Sequence, residues 1–118
     1  MSLSFGVCLY SVHAELQKDY IHALEKISEI GYRNVELLAG FDMSKRFGAS
    51  IPVKVLKNKF RELNLNIISA HETIPMGLDL LAQDWDWIIN YNAELGCPRI
   101  VLPAVMAQTE EEMLRTAE

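Results

Sequence analysis

Residues 66–75 read NIISAHETIP. A short apolar pair, Ile67-Ile68, runs through two small residues to an imidazole, His71, and a carboxylate, Glu72, before the chain turns at Pro75. A second carboxylate, Glu36, sits inside the apolar run VELL. Imidazoles and carboxylates are the side chains that move protons and ligate metals. An uncompensated carboxylate is costly to bury, so Glu36 should face an open mouth or a partner. A pocket group and a structural ion pair are both open readings for it. Glu72 reads as a solvated loop residue. A metal site needs several convergent ligands, and the spacing shows no CxxC or comparable pattern, so no metal ligand is assigned. The two cysteines, Cys8 and Cys97, lie in apolar runs and read as buried free thiols.

These groups must be positioned by elements, and the elements repeat. EIGYRNVEL begins at Glu29, ELNLNIISA at Glu62 and ELGCPRIVL at Glu94, with starts 33 and then 32 residues apart. Each segment leaves a helical pattern, passes Gly31, Asn64 or Gly96, and enters an apolar run. Gly and Asn most easily adopt the left-handed conformation that ends a helix. The same event therefore occurs three times: a helix stops, turns and feeds a strand.

The intervening segments carry helical spacing. Leu16, Tyr20, Leu24, Ile27 and Ile30 form one stripe, with Asp19 as N-cap. Val53, Leu56, Phe60 and Leu63 form the next, behind Pro52 in the first turn. Leu81, Trp85, Ile88 and Leu95 form the third. Trp85 belongs to this core stripe and Trp87 to an edge or a partner surface, while His22 reads as surface. The predicted order is β(5–10) α(19–30) β(34–38) α(51–63) β(66–70) α(79–95) β(99–103), then a helix opened by the capping box Thr109-Glu110-Glu111-Glu112. Strands alternating with helices indicate right-handed βαβ units and a parallel sheet in order 1-2-3-4. The strand cores VCL, VELL, IIS and IVL have few alternating polar positions, as in a sheet covered on both faces.

The 118 residues hold 11 basic and 16 acidic side chains, a net charge of −5, which leaves no electrostatic footprint for nucleic acid. The stretch Lys54, Lys57, Lys59 and Arg61 reads as a solvated helix face or, alternatively, an anion or partner contact. No apolar run reaches a membrane span, no signal-peptide pattern opens the chain, and a cytoplasmic protein is the default. No Gly-rich phosphate loop is present, which weakens a nucleotide-binding reading.

Four βα units are half of eight, and a complete (β/α)8 barrel takes roughly 250 residues. The chain reads as the first half of one. Its FGVCLYSVHAEL, ALEKISEIGYRNVELLAG, LNIISAH and AELGCPRIVLP segments together resemble the sugar phosphate isomerase/epimerase family of the xylose-isomerase-like barrel superfamily. The resemblance implies that residues 1–118 are the amino-terminal half of such a TIM barrel. It also implies a sugar or sugar phosphate as substrate, and proton transfer next to a carbonyl through an enediolate, assisted by a divalent metal (Mn, Mg, Co or Zn). In that family the metal ligands and bases come mostly from strands five to eight, so this chain is not expected to ligate the metal fully or to act alone.

In a parallel barrel the reacting groups gather at the carboxyl ends of the strands. By this resemblance the substrate-binding candidates are His71, Glu36, Tyr10 and His13, with Ser11, Glu72 and Pro103 near the same face. His71 matches the family's strand-3 histidine, which lines the pocket and in the endonuclease branch binds metal; a histidine satisfied by a local hydrogen bond is the other reading. Two further readings compete with an enzyme fragment. One is a homo-oligomer in which half-barrels bury their open edges and an apolar inner face against each other. The other is a flavodoxin-like module that binds a nucleotide.

Overall fold

The structure is a computed structural model, and it describes residues 2–40, 46–72, 81–102 and 109–117. Its elements are β1 (Gly6–Cys8), a 3-10 turn (Leu9–Val12), α1 (His13–Lys18), α2 (Tyr20–Ile30) and β2 (Asn34–Leu38). They continue with α3 (Val53–Glu62), β3 (Asn66–His71), α4 (Leu81–Leu95), β4 (Ile100–Val101) and α5 (Glu110–Ala117). The four strands form one parallel sheet in the order β1-β2-β3-β4. A flavodoxin-like sheet needs a reversal of strand order, with β1 inside the sheet. Among the described strands β1 is an outer strand and the order does not reverse, so that alternative is set aside. No described helix is long and apolar enough to cross a membrane.

The repeated turn has one geometry in all three copies. Gly31 has φ 111°, Asn64 φ 53° and Gly96 φ 89°. At the first, the Gly31 N–H donates to Ser28 O and the Tyr32 N–H to Ile27 O; at the second, Asn64 donates to Arg61 O and Leu65 to Phe60 O; at the third, Gly96 donates to Ala93 O and Cys97 to Asn92 O. This is the Schellman pair of bonds, which satisfies the last helical carbonyls and aims the chain back along the sheet. At the other end of α2, the Asp19 carboxylate accepts from the His22 N–H at 2.9 Å, as its capping role requires. The Thr109 capping box also closes, with both reciprocal bonds at 3.2 Å.

Val35, Leu37 and Ala70 from the strands pack with Leu24, Ile27, Leu56 and Phe60 from the helices in one core. Several expectations shift here. The first strand stops at Cys8 because Leu9 turns inward, fully buried, and the chain enters the 3-10 turn and α1, a helix the apolar spacing did not reveal. Pro52 is the N-cap of α3, outside its first turn. Ile30 is 73% exposed; as the last helical residue it lies roughly 80° round the axis from Tyr20, off the stripe. His22 is exposed as read. Lys59 of the basic stretch bridges Glu25 and Glu62 at 3.7 and 3.1 Å. Pro75, Pro103 and the side chain of Leu81 lie outside the described residues.

The mouth of the sheet is fixed by a buried ion pair. Arg46 grips Glu72 with two parallel bonds of 2.6 and 2.7 Å, their side chains 5% and 0% exposed. The Asn92 amide of α4 adds a bond of 2.6 Å to the same carboxylate and a second, of 3.0 Å, to Ile88 O. Arg46 also lies 4.4 Å from the ring centre of Tyr91 and 5.5 Å from that of Trp87, which stack on each other at 5.0 Å. Burial pulls the Arg46 guanidinium down, but Glu72 beside it more than offsets this and leaves it raised, so the cation persists. Glu72 is therefore a structural anchor, and the expectation of a solvated loop residue is corrected. Its partners lie far along the chain and no local pattern announces them.

Two stability measurements follow from these contacts. Asn64→Gly should leave the urea midpoint nearly unchanged, whereas Asn64→Val, forced into the left-handed region, should cost about 1–2 kcal/mol. Glu72→Ala should cost about 3–5 kcal/mol, because Arg46 is left buried and unpaired. The Arg46→Met/Glu72→Leu double variant should cost much less than the two single changes combined. A strictly additive cycle would show that the pair does not act as a unit.

Candidate functional site

Glu36 reaches its position through a register irregularity. Val35 pairs with Ile67, yet the next residue, Glu36, pairs with Ser69, so β3 holds one extra residue, Ile68. Beyond the bulge, Leu37 pairs with Ala70 and Leu38 with His71. On the other side Glu36 pairs with Cys8. Paired residues of a sheet point to the same face and neighbours along a strand alternate. Cys8, Glu36, Ser69 and His71 therefore share the face away from the helices, while Ala70 goes fully buried into the core.

That face differs from the apolar surface expected of it. Asn34 and Asn66 pair at its lower end, with an amide contact of 3.5 Å. Above them the Ser69 hydroxyl donates to Glu36 Oε2 at 2.6 Å. Ile68 and Val101, 40% and 37% exposed, supply an apolar margin. The bulge gives the physical reason for the polarity, since it returns Ser69 and His71 to the side of Glu36.

The upper end of the face gathers three chemically capable groups. His71 Nδ1 lies 3.8 Å from Glu36 Oε1, with side chains 30% and 26% exposed. The Cys8 sulfur joins them, so that the ligating atoms of Cys8, Glu36 and His71 all lie within 4.8 Å of one another. Burial, foremost, pushes the Cys8 thiol up; the Tyr10 backbone N–H pulls it down, and the Glu36 carboxylate, as hydrogen-bond partner and as charge, raises it again. A thiol held in its protonated form is a poor nucleophile. Cys97, the other free cysteine, is buried and donates to Arg99 O at 3.1 Å.

Of the four substrate-binding candidates, Glu36 and His71 are brought together. Tyr10 and His13 follow directly from β1, on the 3-10 turn and at the start of α1. The His13 ring nitrogen contacts Tyr10 O at 2.8 Å, and the two rings stand 5.3 Å apart. Tyr10 is 52% exposed. Glu72, adjacent in sequence, is withdrawn by Arg46. Cys8 is the group that sequence reasoning assigned to the core and that the structure leaves half-buried in the cluster. A signal for it existed: each of the first three strands carries a residue able to ligate or exchange a proton, Cys8, Glu36 and His71, and parallel, sequential strands lie side by side.

No family model and no curated protein matches this sequence. Solved structures do share its fold. One is a crystal structure of a sugar phosphate isomerase/epimerase from Parabacteroides distasonis ATCC 8503, with a TM-score of 0.74 at 22% identity, covering 99% of this chain and 44% of that one. A second crystal structure of a sugar phosphate isomerase/epimerase from the same organism gives 0.73 at 22% identity, covering 98% and 46%. The chain thus spans less than half the length of the structures it matches. What the likeness establishes is the fold: an α/β chain of four βα units of the (β/α)8 TIM-barrel type.

Proposed function

We propose that the chain is the sugar-binding part of a sugar or sugar phosphate isomerase/epimerase, whose reaction moves a proton next to a carbonyl through an enediolate. The observation that carries this reading is the agreement in fold, along 99% of the chain, with a protein of that description. His71 is the last residue of β3, at the end where parallel barrels collect their reacting groups, and Glu36, in the middle of β2, lies beside it. A carboxylate and an imidazole 3.8 Å apart offer acceptors and donors to neighbouring hydroxyls of a polyol. Ser69 holds the far oxygen of Glu36 and leaves the near one facing His71. Tyr10 offers an exposed aromatic ring to the apolar face of a sugar.

A divalent metal suits enediolate chemistry because it holds two substrate oxygens and stabilises the negative charge that develops. The convergent groups among the described residues are one thiol, one imidazole and one carboxylate. That set suits Zn or Co and does not match the oxygen-rich preference of Mg or Mn. Proton transfer of this kind also calls for a second carboxylate near the first, and Glu72 is bound to Arg46. The chain on its own is therefore proposed to bind the sugar without turning it over.

A second reading, self-association, is favoured by apolar side chains beside the two outer strands: Leu3 is 80% exposed, Phe5 74%, Val101 37% and Leu102 37%. Exposed apolar groups beside unpaired strand edges favour association of sheets.

Titration of the isotope-labelled chain with ketoses and ketose phosphates should shift the NMR signals of His71 and Glu36, and His71→Ala should remove the response. Unmoved spectra across the sugar series would sink the sugar-binding reading. Light scattering over a range of concentrations should give the mass of a dimer; a monomer throughout would remove self-association.

A further inference from the structure

We infer that Cys8, Glu36 and His71 form a binding site for a thiophilic divalent cation, Zn2+ or Co2+, on the open face of the first three strands. Three different ligand chemistries converge there from three separate strands. Sulfur, imidazole nitrogen and carboxylate oxygen all lie within 4.8 Å of one another. Tetrahedral bonds of about 2.0–2.3 Å space the ligand atoms roughly 3.3–3.7 Å apart. The His71 nitrogen and the nearer Glu36 oxygen stand at 3.8 Å, longer than a hydrogen bond and close to that edge length. The widest separation closes by roughly 1 Å through side-chain torsions, with the backbone of the sheet unmoved.

The surroundings are those of a supported ligand set. Ser69 donates to Glu36 Oε2 at 2.6 Å and so fixes which oxygen turns toward His71. Outer contacts of this kind orient ligands and typically tune affinity. The bulge at Ile68 holds Ser69 and His71 on the same face as Glu36, and Cys8 pairs directly with Glu36 in the sheet register. The thiol decides the ion, because thiolate selects Zn or Co over Mg or Mn. With three protein ligands, each only partly buried, the fourth tetrahedral position faces the open side of the sheet, where water or a ligand oxygen reaches it. The inference rests on this geometry alone and holds whether or not the chain binds sugars.

The test uses the whole chain, stripped of metal and titrated with Co2+. The expected result is one equivalent bound, with a sulfur-to-cobalt charge-transfer band in the near ultraviolet and the intense visible bands of tetrahedral cobalt. Zn2+ should bleach both, and excess Mg2+ should change neither. Cys8→Ser should lose the charge-transfer band while Cys97→Ser keeps it. Glu36→Gln and His71→Ala should lose the tetrahedral bands, with urea midpoints confirming that each variant is folded. Ser69→Ala retains all three ligands, so it should keep the spectrum and bind roughly tenfold more weakly. No charge-transfer band in the parent chain, or a band that persists in Cys8→Ser, would overturn the assignment.

Discussion

The arrangement depends on one extra residue in β3. In regular register, Val35 opposite Ile67 would be followed by Glu36 opposite Ile68 and Leu37 opposite Ser69. Strand alternation would then turn Ser69 and His71 toward the helices and Ala70 toward the open face. The shift at Ile68 avoids both outcomes. The small Ala70 fills the crowded core, and the polar pair returns to the side of Glu36 and Cys8. A bulge beside a functional cluster, re-aiming the side chains that follow it, is a recurrent device in sheets.

Two adjacent residues at the end of this strand have opposite fates, and the difference is electrostatic. His71 remains partly exposed, near a carboxylate that it does not touch within hydrogen-bonding distance. Glu72 is sealed beneath the surface, and its charge is tolerable only because Arg46 and Asn92 supply three short donors. The anchored residue ties the segment after β2 and helix α4 to the strand end, so the group next to it is held without being consumed by structural contacts. Backbone bonds extend the same restraint: Ala39 donates to His71 O, and Glu72 to Val101 O, both at 2.9 Å.

What the sequence discloses follows the range of the interaction. The helix stops at Gly31, Asn64 and Gly96 are local events with a local chemical requirement, and their spacing exposed the whole alternation of helix and strand. Asp19 and Thr109 were legible for the same reason, since a cap reaches only three residues. Glu36 and His71 stood out as polar groups in apolar strands. The ion pair of Glu72 was invisible because Arg46 and Asn92 lie 26 and 20 residues away. The membership of Cys8 depended on sheet register and on a bulge that no periodicity records. The short helix α1 was missed because its six residues bury a single side chain, Leu16, too few for a stripe.

The sequential winding also shapes how the chain can find its structure. Gly6 meets Asn34, Asn34 meets Asn66, and Ala70 meets Ile100. Each pairing thus closes a loop of about thirty residues, at nearly the same entropic cost. Among the described strands, none waits for a partner from the far end of the chain and none must be threaded between two others. Assembly can proceed one strand–helix unit at a time, each docking on the edge its predecessor has just completed. The three-ligand cluster spans the first three strands, so it comes into being only when the third unit docks.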